Sequence, residues 1–274
     1  MSESHWSLDD IPWHAFDPVK VDGDLLKIVK AASMVEYNGG DYATYLCNVF
    51  PDDAEFCAAA TKWAGEEVQH GRALGRWAAM ADPTFDFEAS FARFTAGFRP
   101  PIDARASVRG SRAGELVARC IVEVGTASYY SALGEAAAEP VLREICKRIA
   151  ADEFRHYHLF YRHLKRYLDK DRIGKVRRML VAFGRITESE DDELAYAYYA
   201  ANGAAGEPYD RKTNSRAYAA RAFRYVRPKH VDRGVAMTFK AAGLSPQSRL
   251  ARMAGRGAYW LLRQRQRRFT AAAA

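Results

Sequence analysis

Between residues 22 and 170 apolar residues recur three and four positions apart, the spacing that gives a helix one apolar face. Four such stretches stand out. The first opens at Asp22 or Asp24, either able to cap a helix, and runs through LLKIVKAASMVEYNGGDYATYL, with Leu25, Ile28, Val29, Ala32 and Val35 on or beside one stripe. Gly39 and Gly40 interrupt it, each at a cost of up to ~1 kcal/mol relative to alanine. They mark either close helix packing or space left beside the stripe. The second stretch opens at Pro51-Asp52-Asp53 and ends near Ala81 or Asp82. The third spans roughly Ser111 to Ala138, and the fourth starts at Pro140, a residue favoured in a first helical turn.

Residues 83–108 form a long connection with Phe85, Phe87, Phe91, Phe94 and Phe98, expected to pack on the helices in preference to lining a tunnel. Residues 1–20, with Trp6, Pro12, Trp13 and Pro18, read as an irregular arm. A fifth helix is expected over 174–202, including the amphipathic stretch SEDDELAYAYYA, followed by Arg-rich helical pieces and a frayed Ala tail. No alternating strand pattern of useful length occurs. The expected fold is all-α: an arm (1–20), a helical bundle (21–170) and a C-terminal helical extension (171–274).

The bundle carries an unusual set of polar residues. Two Glu-x-x-His pairs, Glu67–His70 and Glu153–His156, follow the lone Glu36 and Glu123 by 31 and 30 residues. Within a helix, positions i and i+3 are neighbours, so each Glu and His can grip one ion. A helix of ~20 residues and a short turn bring the chain back to its starting level after ~30 residues. Glu36 then faces the first pair across one αα-hairpin, and Glu123 faces the second pair across another, a weak internal repeat. Four carboxylates and two imidazoles from four helices are the ligand set of a bundle-held two-metal site. Two iron ions suit that mixed shell, with an iron–manganese pair as the variant.

Glu66 and Asp152 directly precede the paired glutamates. They are either hydrogen-bond partners for the outer nitrogens of the histidines or solvated acids. Thr126 shares a helical face with Glu123, so its hydroxyl either serves the site as a proton relay or bonds its own i−4 carbonyl. Tyr37, Tyr129, Tyr130 and Tyr157 lie near the ligands in sequence, while His158 and His163 are expected to be packing or surface residues.

Charge divides the chain. Residues 1–169 hold nineteen Lys and Arg against twenty-five Asp and Glu, a net of −6; residues 170–274 hold twenty-two against nine, a net of +13. The C-terminal part is therefore expected to meet an acidic partner or an anionic membrane surface, with nucleic acid disfavoured because no base-reading motif is present. No run of eighteen apolar residues occurs, and the first residues, MSESHWSLDD, lack an apolar signal region. Cys47, Cys57, Cys120 and Cys146 lie in helical runs without CxxC spacing and read as reduced thiols. A cytoplasmic protein is expected, peripheral to a membrane at most.

At this point the residues resemble a family. GEEVQHGRALGRW and IAADEFRHYHLF resemble the EE-x-x-HG and ADE-x-RH segments of soluble acyl-carrier-protein desaturases, within the wider ferritin-like di-iron superfamily. IVEVGTASYY is similar to the third-helix segment of that family, where the ligand Glu is followed three residues later by a Thr near the oxygen site. The likeness covers about residues 20–170. It implies a ferritin-like four-helix bundle of two αα-hairpins with additional C-terminal helices. It also implies Glu36, Glu67, His70, Glu123, Glu153 and His156 as metal ligands and Thr126 as the oxygen-side hydroxyl. Gln69 stands where the family has Arg, Gly39–Gly40 is unusual, and the basic C-terminal hundred residues have no counterpart. The small subunit of ribonucleotide reductase carries its radical tyrosine four residues after the first motif histidine. Leu74 is there in this chain, so radical chemistry on that tyrosine is not expected.

The expected function is a di-iron oxidoreductase that uses O₂ to desaturate or hydroxylate an organic, free or carrier-bound acyl substrate. Electrons come from an external donor such as a ferredoxin, since the chain has neither a dinucleotide-binding glycine pattern nor a cluster-binding cysteine set. Iron handling or peroxide scavenging of the ferritin or rubrerythrin type is the alternative, and a membrane-surface scaffold the second. A homodimer is compatible with each.

Overall fold

The computed structural model describes residues 5–188, 192–204 and 206–271, and among these every regular element is helical. The arm forms three short 3-10 turns, Leu8–Asp10, Trp13–Ala15 and Pro18–Lys20. Helix α1 (Gly23–Tyr37) starts where the Asp22 carboxylate accepts the amides of Asp24 and Leu25, and α2 (Gly39–Val49) follows it. Asp53 then caps α3 (Ala54–Ala81), which runs back along both. Next come α4 (Phe87–Gly97), inside the long connection, and α5 (Arg112–Ala136), capped by Ser111. Helix α6 (Pro140–Asp171) returns along α5 and packs on α3. Two packed helical hairpins thus meet through α3 and α6.

The first apolar stripe is not one helix. It breaks at Asn38, whose φ of −81° and ψ of 8° leave the helical region. A Cβ on Gly39 would lie 2.6 Å from the Cβ of Glu67 and 3.3 Å from the Ala64 carbonyl. Close packing of α2 on α3 is therefore the reason for this glycine.

Of the expected fifth helix the structure describes two helical parts, α7 (Lys175–Glu188), packed on α5, and α8 (Asp192–Asn202), packed on α1 and α4. Between them in the sequence lies the acidic SEDD run. Residues 189–191 of that run lie outside the described residues, as do 1–4 and the end of the Ala tail, 272–274. Helices α9 (Arg211–Ala222), α10 (Pro228–Ala241) and α11 (Arg249–Ala271) complete the fold.

Two apolar clusters form the core. One joins α1, the second half of α3 and the first half of α6 with Ile11 of the arm, Ala197 and Ala200 of α8, and Tyr218 of α9. The other joins α2, the first half of α3, the first half of α5 and the second half of α6. Residues on both sides of position 170 thus share one core, and that position falls in the last turn of α6. The connection's phenylalanines pack as expected: Phe94 is fully buried, and Phe87 and Phe91 meet the Tyr37 ring edge-on at 5.3 and 4.8 Å. Burying a side chain the size of Phe94 stabilises the fold by roughly 1.5–3 kcal/mol.

On α3 the gap between the clusters falls between Ala64 and Ala73, on α5 between Val124 and Tyr130, and on α6 between Ala150 and Tyr157. Each gap holds or borders residues of the Glu and His set. Apolar layers above and below thus enclose one polar layer.

Candidate metal centre

All six expected ligands converge in that polar layer. Glu36 comes from the last turn of α1, Glu67 and His70 from α3, Glu123 from α5, and Glu153 and His156 from α6. Each is more than nine-tenths buried. Their ligand atoms form two groups, Glu36–Glu67–His70–Glu153 and Glu67–Glu123–Glu153–His156, with all atoms of a group within 4.8 Å of one another. Glu67 and Glu153 belong to both.

His70 Nδ1 lies 3.4 Å from Glu36 Oε2 and 3.3 Å from Glu153 Oε1. His156 Nδ1 lies 3.0 Å from Glu67 Oε1 and 3.5 Å from Glu123 Oε2. Every one of the six residues also has a buried polar atom with no hydrogen-bond partner, namely an oxygen of each glutamate and Nδ1 of each histidine. Native interiors hold only a few such atoms per hundred residues, and seldom so many on side chains that face one another. Six on converging side chains fit cations as their partners, and two divalent ions would balance the charge of four carboxylates with both imidazoles neutral.

The outer nitrogens of the histidines are held crosswise. His70 of the first hairpin faces Asp152 of the second, Nε2 to Oδ2 at 2.9 Å, and His156 of the second faces Glu66 of the first, Nε2 to Oε2 at 2.8 Å. With the Nε2 proton held there, a cation that displaced the inner proton would meet each Nδ1 lone pair pointing into the centre. Of the two readings open for Glu66 and Asp152, the hydrogen-bonding one matches the structure. Arg155 donates to both carboxylates.

The Thr126 hydroxyl lies within reach of both its own helix and the centre. It is 3.1 Å from the Val122 carbonyl and 2.7 Å from Glu153 Oε2. Tyr130 donates to Glu36 Oε1 at 2.6 Å. His163, packed edge-on against Phe56 with its Nδ1 facing Arg166, lies outside both groups, and His158 is exposed.

Electrostatics follow from the burial. Burial raises Glu67 well above the carboxylate range, and the Glu153 and Glu36 charges add to this. Glu123 is raised to about 8, chiefly by burial. Burial pushes Glu153 the same way, but hydrogen bonds from His156 and His70 outweigh it and hold it below its usual value. Burial alone would lower His70, yet Asp152, Glu153 and Glu36 carry it well above the imidazole range.

The arm supplies residues that sequence reasoning missed. The Trp6 indole lies parallel to the His70 ring, 5.9 Å between centres and 6° between planes, and donates through Nε1 to Asp152 Oδ2 at 2.7 Å. Gln69 holds the Trp6 carbonyl at 2.8 Å, and His5 Nε2 lies 3.0 Å from Asp152 Oδ2. His5, Glu66 and Asp152 are close enough to resemble a third cation group, but the Arg155 guanidinium, His70 and His156 already face those oxygens. This layer is a hydrogen-bonded belt. Of this layer, Glu66 and Asp152 stood out beforehand through their place next to the paired glutamates, and Tyr130 only as a residue near them in sequence.

Trp6→Phe keeps an aromatic ring over His70 and removes the indole N–H. Stability should fall by only ~1 kcal/mol, one hydrogen bond. Affinity for a divalent metal should fall about tenfold or more, read by competition with a chromogenic chelator. Unchanged affinity would show that the arm does not tune the centre. No protein-family model matches this chain, and a search of curated proteins returns no match.

Proposed function

We propose that the chain is a ferritin-like di-iron carboxylate oxidoreductase that uses O₂ to desaturate or hydroxylate an organic, acyl-type substrate. The observation that carries this reading is the pair of buried Glu/His groups sharing Glu67 and Glu153. Glu36 and His70 would hold one ion and Glu123 and His156 the other, with Glu67 and Glu153 within reach of both. The two meeting hairpins and the motif resemblance support the same assignment. Two iron ions, or an iron–manganese pair, would supply the redox chemistry there, passing electrons from the external donor to O₂ and providing the oxidising power for a C–H bond.

The chain's own residues do the rest. Asp152 and Glu66 orient the imidazoles, and Tyr130 fixes one oxygen of Glu36. Thr126 keeps a proton beside Glu153, where a developing oxygen anion could receive it. The two apolar clusters exclude water from the layer. Electrons come from a separate acidic donor of the ferredoxin kind, attracted by the basic C-terminal half.

The test is metal content after anaerobic iron loading, followed by reduction and rapid mixing with O₂. Two irons per chain with a transient visible absorption supports oxidation catalysis. Hundreds of irons per particle would replace it with storage, and rapid peroxide consumption without substrate oxidation with scavenging. Loading also has a pH signature. Below about pH 8 Glu123 carries a proton that a cation must displace, and Glu67 and both histidines hold protons likewise. Metal affinity should therefore rise between about pH 6 and pH 8, with protons released into weakly buffered solution. A pH-independent affinity would contradict that ligand set.

A further inference from the structure

Apolar side chains are not left at random on this surface. Among the described residues ten large hydrophobics are exposed, and eight of them lie on α7 and α11. On α7, Val176, Leu180 and Phe183 follow at i, i+4 and i+7, between 58% and 76% exposed, with Ile186 beside them. The opposite face of the same helix, Val181 and Ala182, packs on the core. On α11, Leu250, Met253, Trp260 and Leu261 form a second outward stripe, between 56% and 68% exposed, while Ala251 faces inward.

Basic residues border both stripes. Lys175 and Arg177 flank the one on α7, and the only acid of that helix, Glu188, is paired with Arg109. Helix α11 carries seven arginines and no acid. The two helices converge at one open cleft lined by Thr187 of α7, Lys212 and Arg216 of α9, and Arg265 of α11, with Asp210 its single acid.

We propose that α7 and α11 seat the protein on an anionic phospholipid bilayer, their apolar stripes entering the interface and their basic borders meeting lipid phosphates. An outward apolar stripe between cationic flanks is the pattern of an interfacial helix, and neither helix is long and apolar enough to cross the membrane. Charge and the two exposed apolar stripes together select this occupant, since a polar acidic donor would leave the stripes in water. A second copy of the chain would set cation against cation, and a nucleic acid would leave both stripes in water. The inference does not depend on the metal centre, so either can fail alone.

The test is flotation of the full-length protein with neutral phosphatidylcholine vesicles and with vesicles containing ~30 mol% phosphatidylglycerol. Binding should be at least tenfold stronger to the anionic vesicles and weaken as salt is raised. Phe183→Glu and Trp260→Glu should each reduce it about tenfold or more, with helicity and melting temperature unchanged because both side chains point outward. Absence of vesicle binding, equal binding to neutral vesicles, or indifference to both substitutions would each overturn the proposal. So would a dimer, dissolved by Phe183→Glu, that ignores lipid: a second copy would then cover the stripe.

Discussion

Glu153→Ala should bind no metal, whereas Glu123→Ala should keep one ion per chain. The two residues sit on neighbouring helices, equally buried, so burial alone does not separate them. Sharing does. Glu123 belongs to the group built on His156 only, and its loss leaves Glu36, Glu67, His70 and Glu153 together. Glu153 belongs to both groups, and its oxygens lie 3.3 Å from His70 Nδ1 and 3.8 Å from His156 Nδ1. Removing it strips a carboxylate from each position and leaves Thr126 without its outward acceptor. The loss of affinity should exceed the ~10–100-fold that an outer hydrogen-bond partner costs. Elemental analysis after loading and gel filtration reads the result, with circular dichroism to confirm that the variant is folded. Two ions retained by Glu153→Ala would mean that the groups do not share that carboxylate.

The parts of this design that were legible are those written in short-range spacing. The starts expected at Asp22 or Asp24, at Pro51-Asp52-Asp53, near Ser111 and at Pro140 each rest on residues within one turn, and the helices begin beside them, with Asp22, Asp53 and Ser111 as caps. The 31- and 30-residue steps express the length of a hairpin, so six ligands could be named without a contact being seen. What escaped were contacts between distant segments. Trp6 and Asp152 are 146 positions apart, and nothing local to either announces the other. The crosswise pairing of Glu66 with His156 and Asp152 with His70 has the same cause, because it depends on how α3 and α6 cross. The break at Asn38 lay between, since Gly39–Gly40 signalled a disturbance but either cause produces the same two letters. Only the position of Glu67 distinguishes them.

Two alanine substitutions on α3 should move stability in opposite directions. Alanine is favoured over glycine inside a helix by up to ~1 kcal/mol, so Gly65→Ala, with nothing within 4 Å of its new methyl group, should be stabilising. Gly71→Ala makes the same change six residues on. There the methyl carbon would lie 2.5 Å from the Tyr37 amide nitrogen, 2.7 Å from the Ser33 carbonyl oxygen and 2.7 Å from the Tyr37 Cα. These are backbone atoms of α1, with no rotamer to yield, so the helices must separate. Overpacking of this kind costs about 1–3 kcal/mol, and rigid neighbours put it at the upper end. At ~2–4 °C per kcal/mol for a chain near this size, the melting temperature should drop by roughly 6–12 °C. The displaced segment carries Glu36 and the fixed one His70, so the first metal position should weaken while the Glu123–His156 position is spared. Calorimetry and a two-step metal titration read both effects. A Gly71→Ala protein as stable as its parent, with both positions intact, would show that α1 and α3 are not pressed together where the centre needs them to be.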